Sequence, residues 1–102
     1  MSRRLDLQKE LEILLGINQV YFQPPATIKL SYPCIIYSIG IGNAKYANNK
    51  TYKYVNSYDV IYITKSPDLD MIEKILKEFQ MCRLNRTYCS DNLYHYAFTI
   101  YY

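Results

Sequence analysis

The sequence predicts an α+β fold: a single domain in the order α-β-β-α-β-β, with a mainly antiparallel sheet and two helices packed on one face. Three observations predict it. Two segments repeat apolar residues at helical spacing, and four others alternate at strand spacing. The strands fall into two pairs whose connections are rich in Gly, Asn and Asp, and such connections favour antiparallel neighbours. The chain has 102 residues, which is one domain.

The first helix spans residues 5–15. Leu7, Leu11, Leu14 and Leu15 fall at i, i+4, i+7 and i+8 and make one apolar stripe. Gly16 follows as a C-terminal stop. Residues 17–33 form a connector, in which Pro24-Pro25 forbids helix and Val20-Tyr21-Phe22 can supply a short strand or pack over the core.

Residues 33–39 form a strand. Cys34-Ile35-Ile36-Tyr37 is apolar on both faces, which places it centrally. The Gly- and Asn-bearing stretch 40–49 is the hairpin connection. Residues 50–64 form a long strand that enters the sheet core from about Tyr58 onward or bulges near Asn56.

The second helix opens at Ser66-Pro67-Asp68, with Ser66 as N-cap and Pro67 at the first helical position. Leu69, Ile72, Ile75, Leu76 and Phe79 make its stripe. Residues 81–89 and 93–102 form a hairpin closed by Ser90-Asp91-Asn92. In its last strand Tyr94, Tyr96, Phe98, Ile100 and Tyr102 share one face, and Leu93, His95, Ala97, Thr99 and Tyr101 share the other. The expected sheet–helix core is Ile35, Ile61, Ile63, Leu69, Ile72, Leu76 and Phe98.

Composition narrows the function. The net charge of +3 is mild, and the basic residues are scattered. No apolar run approaches the roughly 20 residues of a membrane span. The opening Met1-Ser2-Arg3-Arg4-Leu5-Asp6 lacks a signal peptide's apolar stretch, so folding in a cytoplasm is the expectation. Cys34, Cys82 and Cys89 are odd in number and lie in apolar contexts, which fits reduced, buried thiols. Thirteen tyrosines without tryptophan are more than a small core is expected to house. The sheet face away from the helices is therefore expected to carry tyrosines and to meet a partner or water.

A search for chemistry yields no catalytic set, no cofactor site and no metal site. His95 has no cysteine or carboxylate in a catalytic spacing, and the cysteines lack zinc-site spacing. Asp68 and Asp70 fit helix capping. Gly40-Ile41-Gly42 is not followed by a phosphate-binding helix start. Arg83 and Arg86 are three apart on a strand, so they are expected on opposite faces.

Longer strings carry more. Val20-Tyr21-Phe22-Gln23-Pro24-Pro25, Lys29-Leu30-Ser31-Tyr32-Pro33-Cys34-Ile35-Ile36-Tyr37, Tyr46-Ala47-Asn48-Asn49-Lys50, Tyr58-Asp59-Val60, Ser66-Pro67-Asp68-Leu69-Asp70 and Asp91-Asn92-Leu93-Tyr94-His95 follow one another from about Ile17 to Tyr102. In this order they resemble the tail-terminator or tail-completion proteins of long-tailed phages that infect Firmicutes.

The resemblance implies a non-enzymatic virion protein at the head–tail junction, assembled in the bacterial host cytoplasm. It would form a ring, most simply a hexamer, on the major tail tube protein. It would stop tube growth and present a surface to neck and connector proteins, with genomic DNA able to pass through the ring. No membrane contact is implied. Tyr94 and Tyr96 flank His95 where related sequences are more polar, so contacts there are not carried over.

Candidate assembly residues are Lys45, Tyr46, Asn48, Asn49, Tyr52 and Tyr54, in the 40–49 connection and the strand after it. Two other readings stand beside this one: a head-completion or connector protein of the neck, and a small nucleic-acid-binding domain whose tyrosine-bearing strands stack bases.

Overall fold

A computed structural model describes residues 3–25, 27–40 and 57–102. The elements are α1 (Arg3–Leu15), β1 (Val20–Phe22), β2 (Cys34–Ile39), β3 (Ser57–Thr64), α2 (Leu69–Glu78), β4 (Met81–Ser90) and β5 (Leu93–Tyr101). The strands form one five-stranded sheet in the order β1-β2-β3-β5-β4. Among the described residues only the β1–β2 pair is parallel; the other three are antiparallel. The α+β class with two helices and a mainly antiparallel sheet therefore stands. Among the described residues the element order is α-β-β-β-α-β-β, which differs from the expected order because Val20–Phe22 forms a strand of its own.

That strand exists because the connector is held against β2 from several sides. Val20, Tyr21 and Phe22 pair with Ile35, Ile36 and Tyr37. Gln19 donates its side-chain amide to the carbonyls of Ser31 and Pro33. Gln23 turns out of the strand at a positive φ of 44° while its N–H bonds the Tyr37 carbonyl at 2.9 Å.

Both helices pack on one sheet face. Leu7 and Leu11 of α1 and Met71, Ile72 and Ile75 of α2 share a cluster with Ile35, Tyr37, Tyr58, Val60, Tyr62, Tyr96, Phe98 and Ile100. Leu14 and Leu15 pack against it. Gly16 ends α1 at φ +85°, a conformation that costs a side chain dearly, with its N–H on the Glu12 carbonyl.

The expected core needs correction in two ways. In α2 the buried residues are Met71, Ile72 and Ile75, continued by Phe79, whereas Leu69 is 72% exposed and Leu76 38% exposed. At 100° per residue, Met71, Ile75, Phe79 and Ile72 fall within an arc of about 100°, with Leu76 and Leu69 beyond its edge. In β3 the helix-facing parity is Tyr58, Val60 and Tyr62. Ile61 and Ile63 lie on the second face, where Ile63 is buried beside Cys34, its partner in the ladder.

The helix also starts later than expected. Its N-cap is Asp68, whose carboxylate accepts the Met71 N–H at 3.1 Å, and not Ser66. The reason is a second bond: the same carboxylate receives the Tyr62 hydroxyl at 2.9 Å, which ties the helix start to β3.

Tyrosines are housed in the core after all. Tyr37, Tyr58, Tyr62 and Tyr96 are buried on the helix-covered face. Two of the hydroxyls reach polar groups at the rim of the core: Tyr37 donates to Gln8 Oε1 at 2.7 Å and Tyr62 to Asp68. The rings meet one another, with Tyr62 stacked on Tyr96 at 6.0 Å between centroids.

The β4–β5 hairpin closes through Asp91 and Asn92, both at positive φ, as a two-residue turn between Ser90 and Leu93. The two faces of β5 are as the alternation predicts: Tyr96, Phe98 and Ile100 are buried against the helices.

Candidate interaction surface

Neither α1 nor α2, the two described helices, packs on the second face of the sheet. Its side chains follow from the ladder: Cys34, Ile36 and Ser38 of β2 stand beside Ile63, Ile61 and Asp59 of β3, which stand beside His95, Ala97 and Thr99 of β5. Exposure rises across it. Cys34 is fully buried, Ile36 and Ile61 are half-buried, and the β4 edge is almost wholly exposed.

On β4 a bulge changes which residues belong to this face. Leu84 pairs with Phe98 and Arg86 pairs with Ala97, leaving Asn85 as the extra residue. Arg83, opposite Thr99, and Arg86, opposite Ala97, therefore stand on the same face, which corrects the expectation of opposite faces. Met81 and Tyr88 join them, opposite Tyr101 and His95. Asn85 Nδ2 donates to Thr99 Oγ1 at 2.6 Å, so the extra residue spends its side chain on holding the bulge to β5. Alternation alone does not show it, because Cys82, Leu84 and Tyr88 keep one apolar parity through the bulge.

The rings and guanidinium at this edge are in contact. Tyr88 stacks on His95 with centroids 4.7 Å apart and planes 10° from parallel. The Arg86 guanidinium carbon lies 4.8 Å from the Tyr88 ring centre. His95 Nδ1 is 3.1 Å from the Leu93 carbonyl oxygen, which fixes the ring's orientation when that nitrogen carries the proton.

The candidate assembly residues Lys45, Tyr46, Asn48, Asn49, Tyr52 and Tyr54 lie outside the described residues. The two ends of their segment are brought together, however. Gly40 donates its N–H to the Ser57 carbonyl at 2.8 Å. A Cβ on Gly40 would overlap the Ser57 hydroxyl and sit 3.1 Å from the Ser57 carbonyl oxygen, so only glycine allows this approach.

Exposed aliphatic side chains occupy two further places. Leu5, Ile13 and Ile17 face outward along and just beyond α1, with Ile13 at 78% exposure. Leu69 and Leu76 do so on α2.

The cysteines do not converge. Cys34 is buried, Cys82 is half-buried, and Cys89 is exposed, contrary to the expectation of three buried thiols; all three are free. Burial pushes the Cys34 and Cys82 thiols up to about 11, which removes thiolate character at neutral pH. Among the described residues no three His, Cys, Asp or Glu side chains come together as a metal site. No helix among them is long and apolar enough to cross a membrane.

No protein-family model matches the chain, and neither a curated protein nor a solved structure is significantly similar to it.

Proposed function

We propose that the protein is a structural subunit that caps a phage tail tube as a ring, stops tube growth and joins the tail to the neck of the head. The ordered strings described above motivate the reading. The observation that supports it in the structure is the outward aliphatic side chains on different elements: Leu5, Ile13 and Ile17 on and beside α1, and Leu69 and Leu76 on α2. Large exposed aliphatics suit surfaces that meet other protein. Two unlike surfaces on one subunit suit a head-to-tail contact, and such contacts between identical subunits close into rings when the rotation allows. A ring of six is the expected closure.

The test is the assembly state. Light scattering and negative-stain imaging of the purified protein are expected to give closed rings. Ile13→Glu and Leu69→Glu are expected to leave monomers with unchanged circular dichroism, since both side chains lie outside the core. Phage lacking the protein should carry abnormally long tails. Wild-type protein that remains monomeric at high concentration in the presence of tail tubes overturns the reading.

A further inference from the structure

We propose that the β4–β5 edge of the second sheet face binds double-stranded DNA through its phosphates, without reading sequence. The bulge at Asn85 creates the site. It puts Arg83 and Arg86 on one surface, opposite Thr99 and Ala97, two residues apart along β5. That separation is roughly 7 Å along the strand.

Charge complementarity selects the occupant. Among the described residues neither arginine has a carboxylate partner, and both are exposed. The described carboxylate on the strands of this face is Asp59, which stands on β3 opposite Thr99, two strands away from β4. At roughly 10 Å across the sheet it is too far away to pair with either arginine. Two guanidiniums thus face solvent with their donors available, and the planar N–H fork of arginine matches a phosphate oxygen pair.

The aromatic contacts favour backbone recognition over base stacking. Arg86 rests on the Tyr88 ring, which holds the guanidinium in a fixed plane before any ligand arrives. The same ring is stacked on His95. Tyr88 is therefore engaged within the protein and offers a poor platform for an unpaired base, which a single-strand site requires. The strand edge itself is guarded against pairing with another strand, because a bulge and charged side chains are the usual means of blocking such pairing. The exposure of β4 thus serves its face more than its edge. The inference does not rest on ring formation.

The experiment is fluorescence anisotropy of a labelled duplex of arbitrary sequence, titrated with the full chain over a salt series. The wild type is expected to bind at low salt and to weaken as salt rises. Arg83→Gln with Arg86→Gln should reduce the magnitude of the log–log salt slope by about two and weaken low-salt binding about tenfold. Lys74→Gln with Lys77→Gln removes equal charge from α2 and should bind as the wild type does. Circular dichroism confirms that each variant is folded. Absence of wild-type binding at low salt overturns the proposal, as does an equal loss in the α2 variant. Tighter binding to the single strand than to the duplex overturns it too, and so does capture by anionic lipid vesicles without duplex binding.

Discussion

The Tyr62 hydroxyl and the Met71 backbone N–H converge on Asp68, one on each carboxylate oxygen, at 2.9 and 3.1 Å. A strand in the middle of the sheet is thereby bonded to the residue that starts α2. The two bonds are coupled: removing the carboxylate uncaps the helix and also takes away the acceptor of the Tyr62 hydroxyl.

The energetic consequence is asymmetric. Tyr62→Phe removes one bond to a carboxylate and is expected to cost about 1–2 kcal/mol. Asp68→Ala loses the cap, worth about 1 kcal/mol, and takes the carboxylate acceptor from the Tyr62 hydroxyl at about 1–2 kcal/mol more. The double variant should cost less than the sum of the two, because the hydroxyl no longer needs a partner. Urea unfolding of the three variants checks this; additive losses would show that the two bonds are independent.

The legible part of this fold is the part fixed by local rules. The period of Leu7 and Leu11, the stop at Gly16, the turn at Asp91-Asn92 and the two faces of β5 each depend on a few neighbouring residues, and each is found where the sequence puts it. The errors arise where a long-range contact outweighs a local preference. Ser66-Pro67 is a sound helix start by itself, but the Tyr62 hydroxyl fixes Asp68 as the cap. Ile61 and Ile63 are more apolar than Tyr58 and Tyr62, yet the tyrosines face the helices because polar groups at the core margin receive at least the Tyr62 hydroxyl. The arginine surface was hidden for a related reason. A strict alternation rule cannot see the extra residue at Asn85, which only the pairing of β4 with β5 reveals. Of the candidate site, the connection holding Lys45 and Tyr46 lies outside the described residues, and only its closure by Gly40 and Ser57 is on view.

The corrected register of α2 separates two pairs of leucine-size residues. Ile75 is fully buried and touches the core, so Ile75→Ala is expected to cost about 2–5 kcal/mol. Phe98→Ala, in the centre of the same cluster, should cost about 3–5 kcal/mol. Leu69→Ala should stay within about 0.5 kcal/mol, as substitutions at exposed positions do. Thermal and urea unfolding of the variants distinguish the registers. A large loss from Leu69→Ala with little from Ile75→Ala would restore the stripe centred on Leu69 and Leu76.

The last prediction is a loss of stability at alkaline pH, with the sign set by burial. Desolvation raises Cys34 and Cys82 from 9.0 to about 11. It also raises Tyr62 from 10.0 to about 12, helped by the hydrogen bond to Asp68. In each case the folded state holds its proton more tightly than the unfolded state. The unfolded chain therefore releases protons first as pH rises, and stability falls with pH across that interval. The stabilising contribution is complete below about pH 9 and is lost through about pH 11 for the thiols. For Tyr62 the corresponding interval runs from about pH 10 to about 12. Urea midpoints measured under reducing conditions should be level below the first interval and decline through both. Cys34→Ser should flatten the early part of the decline, and Tyr62→Phe the late part. Tyrosinate absorbance gives an independent reading, since Tyr62→Phe should remove one late-titrating ring from the folded protein. Midpoints that stay level through the thiol interval would show that Cys34 is not desolvated on folding, and with it that the second face is open over β2.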